Sequence, residues 1–282
     1  RRNRLQFLTL VLGLALATSL WSGVQAINAE ARASYDAAAA TLAEGRFDQL
    51  LPREGDSIAQ ELFVELRRAG WLVRIKKGLY QVAADIGSLG TLTISRYAIA
   101  QHLLPGSYVS FEAALQFYGL HDQLLQTTTS VGLLQRASVT LEGYTYRFVK
   151  TTQQYFFGSD EHLFDGQPAR VATVEKALID MVQFHRSSYS ADRVLEILSA
   201  SQDDVDQTRL TEYLLRSNLT TQRVFGLLFD HLDLPYDKQL EESARRSAAA
   251  SRAEPHGQAY NAKWRLYYDP GMFRHTSSHQ SQ

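Results

Sequence analysis

The sequence predicts a mixed α/β (α+β) protein, with an N-terminal winged helix-turn-helix followed by a larger α/β domain. Three observations carry this reading. An apolar pattern of helical period runs from Ile58 to Ala69 and stops at Gly70. Two short apolar runs, Trp71–Ile75 and Leu79–Val82, follow at once on either side of Lys76-Lys77-Gly78, and a helix leading straight into a tight basic hairpin is the layout of a winged helix. Beyond Ser95, strand-like runs give way to a series of capped helical ones.

Taken in chain order, residues 1–30 place Arg1, Arg2 and Arg4 before an uncharged run from Leu5 to Gln25, with Val24-Gln25-Ala26 resembling a small-residue cleavage site. That is the pattern of a secretory signal or of an anchor nearly long enough to span a bilayer; the alternative is upstream sequence translated in frame. The winged-helix domain is expected over residues 31–86. It opens with an Ala-rich helix over 31–51, in which Ser34 is a plausible N-cap and Gly45 a stop, and a turn covers Pro52 to Gly55. Ser57 and Gln60 then have capping-box spacing ahead of the helix that Gly70 ends.

The second domain is expected over 95–270. Ser110 caps a short helix, Phe111 to Tyr118, and Gly119 ends it. Strands are expected at Thr128–Leu134, Ala137–Leu141 and Tyr144–Val149, the last two joined by Glu142-Gly143. Tyr144, Tyr146 and Phe148 alternate with Thr145 and Arg147, so one face of that strand is buried. Thr173 caps a helix with an apolar stripe of Val174, Ala177, Leu178, Met181 and Val182. Further helical runs cover Asp192–Ala200, Thr208–Arg216 and Thr220–Leu232; Glu241–Arg252 is helix-prone, Lys263–Tyr268 reads as a last strand, and 271–282 reads as a disordered tail.

Composition narrows the chemistry. Of 282 residues, 45% are hydrophobic and 21% charged, which suits a packed core. The formal net charge is −1, so a nucleic-acid partner must be met by a local basic patch. There is no cysteine, which excludes disulfides and thiolate zinc sites. The sequence has no Gly-Lys-Ser/Thr, no Gly-x-Ser-x-Gly, and no acid two residues before any lysine. His275 and His279 have zincin spacing, but Thr276 stands where the general base belongs. Asp160, Glu161, His162 and Asp165 read as a solvated loop, and His185 as a helix C-cap whose charge suits the dipole. No catalytic residue, metal or cofactor is expected.

The stronger signal is basic. Arg67, Arg68, Arg74, Lys76 and Lys77 fall within eleven residues that contain no acid. On a winged helix the hairpin tip would carry Lys76 and Lys77 to the phosphate backbone. Glu61 and Glu65, on the helix before it, would repel phosphate, which shifts the weight to Arg67, Arg68 and the wing. The bland alternative is a solvated hairpin beside a helix C-terminus that prefers cations.

The run Leu66-Arg67-Arg68-Ala69-Gly70-Trp71-Leu72-Val73-Arg74-Ile75-Lys76-Lys77-Gly78-Leu79-Tyr80 resembles the helix-and-wing segment of the AbiEi family, antitoxins of type IV abortive-infection toxin–antitoxin systems. Tyr108 to Leu115 with Tyr118-Gly119-Leu120 resembles the family's Ser-x-x-Ala-Ala-Leu helix and the Gly-Leu after it. Val171 to Asp180 resembles its Ala-x-x-Glu-Lys-Ala-Leu-x-Asp helix. The resemblance spans residues 56–270 and implies a winged helix that binds operator DNA and represses its own operon. It also implies a C-terminal domain that counters a nucleotidyltransferase-like toxin, as part of phage defence. It carries no catalytic residues. It implies that Arg74, Lys76 and Lys77 contact DNA, and that Ser110, Glu112, Glu175, Lys176 and Asp180 are structural or partner-facing. From the residues alone, Glu175, Lys176 and Asp180 read as a carboxylate near a helix start with exposed charges behind it, worth roughly a few tenths of a kcal/mol. Operator binding needs the cytoplasm, so this reading favours upstream sequence at residues 1–30. The competing expectation is an exported or membrane-anchored interaction module that binds no DNA.

Overall fold

The computed structural model describes residues 57–83, 94–185 and 187–273. The signal-like run, the helix expected over 31–51, the turn at Pro52–Gly55 and the histidine pair of the tail lie outside them. Contacts divide the chain into two compact units, Arg1–Thr93 and Ile94–Gln282.

In the first unit, α1 (Ser57–Arg68) leads into an antiparallel hairpin of β1 (Leu72–Lys76) and β2 (Leu79–Val82). The helix ends as its glycine requires. Gly70 takes φ +82°, the Trp71 N–H donates to Leu66 O at 2.9 Å and the Gly70 N–H to Arg67 O at 3.2 Å. The reversed chain enters β1, where Leu72, Val73 and Ile75 are buried and Arg74 is exposed. Gly78, at φ +80°, makes the turn, and a register shift lies between Arg74 and Lys76. Edge-to-face packing of Phe63 on Tyr80, centroids 4.9 Å apart, ties helix to hairpin.

The second unit is mixed α/β. Its main sheet has six strands in the order β5-β6-β4-β3-β8-β7: β3 (Tyr108–Val109), β4 (Thr127–Gly132), β5 (Val139–Leu141), β6 (Tyr144–Lys150), β7 (Ser159–Phe164) and β8 (Gln167–Ala172). β4 runs parallel to β6 and β3 parallel to β8, while β3–β4, β5–β6 and β7–β8 are antiparallel. Two hairpins turn on matching dipeptides with both residues at positive φ: Glu142-Gly143 (+46°, +81°) and Asp165-Gly166 (+52°, +73°). The alternation in β6 buries Tyr146 and Phe148 and leaves Tyr144 39% exposed at the strand's end.

The second hairpin corrects the sequence reading. Asp160, Glu161 and His162 are on strand β7, and only Asp165 is in a turn, where its Oδ2 accepts the Ser95 N–H at 2.8 Å. An edge strand needs only one apolar face, so a polar run can form it. Helix α2 (Arg96–Leu103), not expected from the sequence, buries Ala98, Ile99, Ala100 and Leu103.

Helix α3 (Phe111–Phe117) follows β3 directly, and α4 (Val174–Phe184) follows β8. Four more helices come next: α5 (Ser188–Ala200), α6 (Gln207–Arg216), α7 (Leu219–His231) and α8 (Lys238–Arg245). Side-chain caps start α4, α5, α6, α7 and α8, from Thr173, Ser187, Asp206, Asn218 and Asp237. A three-stranded sheet, β9 (Ser251–Arg252), β10 (Ala259–Asn261) and β11 (Leu266–Tyr268), closes the unit, and a 3₁₀ turn at Pro270–Phe273 carries order past the expected limit of 270. Among the described residues no helix is long and apolar enough to cross a membrane.

The core centres on α4. Val174 to Gln183 are all buried, because α3, α5, α6, α7 and β8 pack around the helix. Trp264 fills the space against α7, where a Cβ on Gly226 would lie 2.4 Å from its ring. Its indole N–H donates to Asp230 at 2.7 Å.

Candidate functional site

The basic residues picked out in the sequence all fall in the first unit, on three successive features. Arg67 and Arg68 close the last turn of α1, where cations suit the unpaired carbonyls. Arg74 projects outward from β1 between buried Val73 and Ile75. Lys76 ends that strand and Lys77 sits at the turn. Arg67, Arg68, Arg74 and Lys77 are exposed and Lys76 is half-buried. Glu65, the acid preceding them on α1, is exposed too. What this arrangement can do is place several positive charges at a helix end and a hairpin where a polyanion could reach them.

The residues marked structural or partner-facing behave differently. Lys176 and Asp180 form an ion pair one helical turn apart on α4, and both side chains are fully buried. Asp180 Oδ2 accepts from the Ser110 hydroxyl at 2.8 Å and from the Tyr108 phenol at 3.1 Å. The Lys176 ammonium also lies 4.6 Å from the centroid of Phe157 and 5.8 Å from that of Tyr108. Burial pushes the Asp180 carboxyl up, and Lys176, Ser110 and Tyr108 oppose that shift. Tyr108 is held well above its ordinary value, by burial first and then by Asp180.

This arrangement overturns the expectation of exposed charges on α4: the helix has neighbours on every side, so its charged residues have no solvent to face. It also revises the role of Ser110. That residue stands at the N-cap of α3 but makes no side-chain cap bond, its hydroxyl being committed to Asp180. The next residue, Phe111, takes φ +58°, a strained conformation for a bulky side chain. The network and the Ser110 N–H bond to Thr129 O, at 2.9 Å, hold the β3–α3 junction just ahead of that strain. A serine, a lysine, an aspartate and a tyrosine in contact look like nucleophile machinery, but none is more than 1% exposed.

Glu175, 2% exposed, ties α4 to the start of α6. Its Oε1 accepts the Asp206 N–H at 2.9 Å, and its Oε2 lies 3.5 Å from the Arg209 guanidinium. Glu112 stands apart from this group, half-buried in the first turn of α3. His185 is the C-cap of α4, but its ring stacks on Phe111, centroids 4.6 Å apart, and burial pushes its pKa down. It therefore contributes less positive charge to the helix end than the sequence reading supposed. Among the described residues no group of three or more His, Asp or Glu is placed to hold a metal ion.

Sequence reasoning did not single out Tyr108, Phe157 or Gly158 for this network. Gly158 takes φ +72°, and a Cβ there would lie 2.8 Å from Tyr213 and 3.1 Å from Lys176. The available signal was the Gly in Phe156-Phe157-Gly158, a glycine after an aromatic pair and directly ahead of β7.

These features define a class by fold: a two-unit mixed α/β chain with a basic helix–hairpin in one unit and a charge-bearing buried helix in the other. The fold is similar to that of the RV2827C protein from Mycobacterium tuberculosis, whose crystal structure matches with a TM-score of 0.52 at 17% sequence identity, over 78% of this chain and 83% of that one. At that identity the likeness speaks for fold alone. No protein-family model matches the sequence, and no curated protein does.

Proposed function

We propose that this chain is a DNA-binding transcriptional regulator acting as the antitoxin of a type IV toxin–antitoxin system. It represses its own operon and counters a nucleotidyltransferase-like toxin, and it is not an enzyme. The observation that carries the DNA-binding part is the exposed set Arg67, Arg68, Arg74 and Lys77, with half-buried Lys76, on a helix that runs directly into a hairpin. In this reading α1 and the β1–β2 hairpin are the recognition helix and wing of a winged helix-turn-helix. Each basic side chain that meets a phosphate releases counterions, adding affinity and salt dependence. Exposed Glu65 limits how far α1 can settle against a polyanion, so the wing and the end of α1 carry most of the contact. The ligand is operator duplex, the compartment the cytoplasm, and no cofactor takes part.

The antitoxin role rests on the ordered motifs at 66–80, 108–120 and 171–180. The buried positions of Ser110, Glu175, Lys176 and Asp180 support a framework role for those motif residues and leave partner contact to other surfaces of the second unit. Growth of cells co-expressing this chain with the product of the adjacent gene tests it. Relief of a growth defect by the intact chain is the expected result; a neighbour that is harmless alone, or toxic regardless, removes the antitoxin role while leaving DNA binding to be judged separately.

A further inference from the structure

A second surface combining π-faces and positive charge lies on the C-terminal three-stranded sheet. Tyr260 of β10 is directly opposite Tyr267 of β11, and Tyr267 is directly opposite Arg252 of β9. Directly opposed residues project to the same face, so the three form one row across the sheet. The tyrosine centroids are 4.9 Å apart at 43°, and the Arg252 guanidinium lies 4.5 Å from the Tyr267 centroid. The neighbouring position Leu266 is fully buried on the core side. Tyr260 ends the row on an edge strand and is 49% exposed.

The support beneath the row is rigid. Fully buried Arg223 of α7 donates to the carbonyls of Ala244 (2.9 Å), Ser247 (2.8 Å) and Ala249 (2.7 Å) and to the Ser251 hydroxyl (2.9 Å), fixing the segment that leads into β9. The charge around the row is mostly positive. From Arg245 to Tyr268 there are five basic residues and one acid, Glu254, whose Oε2 accepts from the Ser188 hydroxyl at 2.8 Å. Lys263 is paired with Asp230, and Arg265 donates to the carbonyls of Arg245 and Ser247; Arg246 donates to Ser243 and Arg252 to the Gly257 carbonyl at 3.1 Å, yet both arginines keep exposed surface.

We propose that the Arg252–Tyr267–Tyr260 row is a stacking site for an unpaired nucleobase, with single-stranded nucleic acid as its ligand. A base extends the row at Tyr260 while the exposed arginines meet the backbone phosphates. Stacking on tyrosine requires a base face, which a duplex hides, so this site selects unpaired strands and is independent of the duplex contact assigned to the hairpin.

The test uses the full chain carrying R67A/R68A/R74A/K76A/K77A, so that the basic set of the first unit does not contribute, with fluorescein-labelled dT15, U15 and a duplex of equal length followed by anisotropy. Preferential binding of a single strand is expected. Tyr260→Ala should weaken it roughly tenfold, Tyr260→Phe should keep it within about twofold, and neither should move the unfolding midpoint. No preference for single strands, or equal affinity in the parent and Tyr260→Ala, overturns the proposal. Either result leaves the operator reading untouched, since the basic side chains assigned to duplex contact have been removed from the measurement.

Discussion

In the first unit Arg67, Arg68, Arg74 and Lys77 lie in water at a helix end and a hairpin, whereas in the second unit Lys176 and Asp180 are shut completely into the core. The residue types overlap and the consequences are opposite. An exposed charge keeps its hydration and adds little to folding, so its value lies in what it can attract. A buried charge has given up that hydration, and its partners must be in place before the fold can close. Asp180 has three partners from two elements, Lys176 on its own helix and Ser110 and Tyr108 at the β3–α3 junction. These two sets of charge thus mark a surface in one unit and an internal framework in the other, and substitutions in the two should fail in different ways.

The largest effect should come from breaking the buried pair on one side. Asp180→Ala leaves the Lys176 ammonium without a counter-charge and two hydroxyls without an acceptor, and should cost about 3–5 kcal/mol in urea unfolding. The combined Lys176→Met, Asp180→Leu variant removes both charges and should recover much of that loss. If Asp180→Ala unfolds like the parent, the network is not the framework described.

A smaller loss is expected at the wall of the same core. Gly226→Ala places a methyl against the Trp264 ring, which is fully buried, and should cost about 1–3 kcal/mol. The Trp264 emission maximum should report the disturbance.

Acid should act more gently, and through buried histidines. Burial is the largest cause pushing His121, His185 and His231 below the ordinary 6.5. The unfolded chain then binds protons more tightly, so their contribution to stability is present above pH about 6.5 and is lost as pH falls through the lower folded values. The urea midpoint should therefore drop between pH 7.5 and pH 5.5, and His185→Gln should flatten part of that drop. A His185→Gln variant with the parent's pH dependence would contradict the role given to the burial of that ring.

Much of the fold behind this contrast was legible in the sequence, and the reasons are local. Gly70 and Gly78 mark the helix end and the hairpin turn, and the run between them contains Arg and Lys with no acid. Thr173 announces α4 as its cap, and Glu142-Gly143 announces the β5–β6 turn. Asp165-Gly166 gives the same hairpin signal, but the acids and histidine of β7 hide the strand beside it, because an edge strand tolerates polar residues that a central one does not. Helix α2 is eight residues long and buries two alanines among its four core positions, too weak a pattern to stand out. The burial of Lys176 and Asp180 was not legible at all. An i, i+4 pair on a helix looks the same whether the helix faces water or four other helices, and only the tertiary packing decides.

The central claim is that the exposed basic set of the first unit binds duplex DNA. It is tested most directly by binding of the full chain to its own upstream DNA across a salt series, beside the R74A/K76A/K77A variant. Tight binding with a steep salt dependence is expected, and the variant should bind more weakly with the slope of log K against log salt reduced by about 3, close to one unit per lost phosphate contact. Of its three substitutions, those at exposed Arg74 and Lys77 should each change the free energy of unfolding by no more than about 0.5 kcal/mol. Affinity for upstream DNA no greater than for random duplex, or a variant that binds with unchanged slope, would contradict the account.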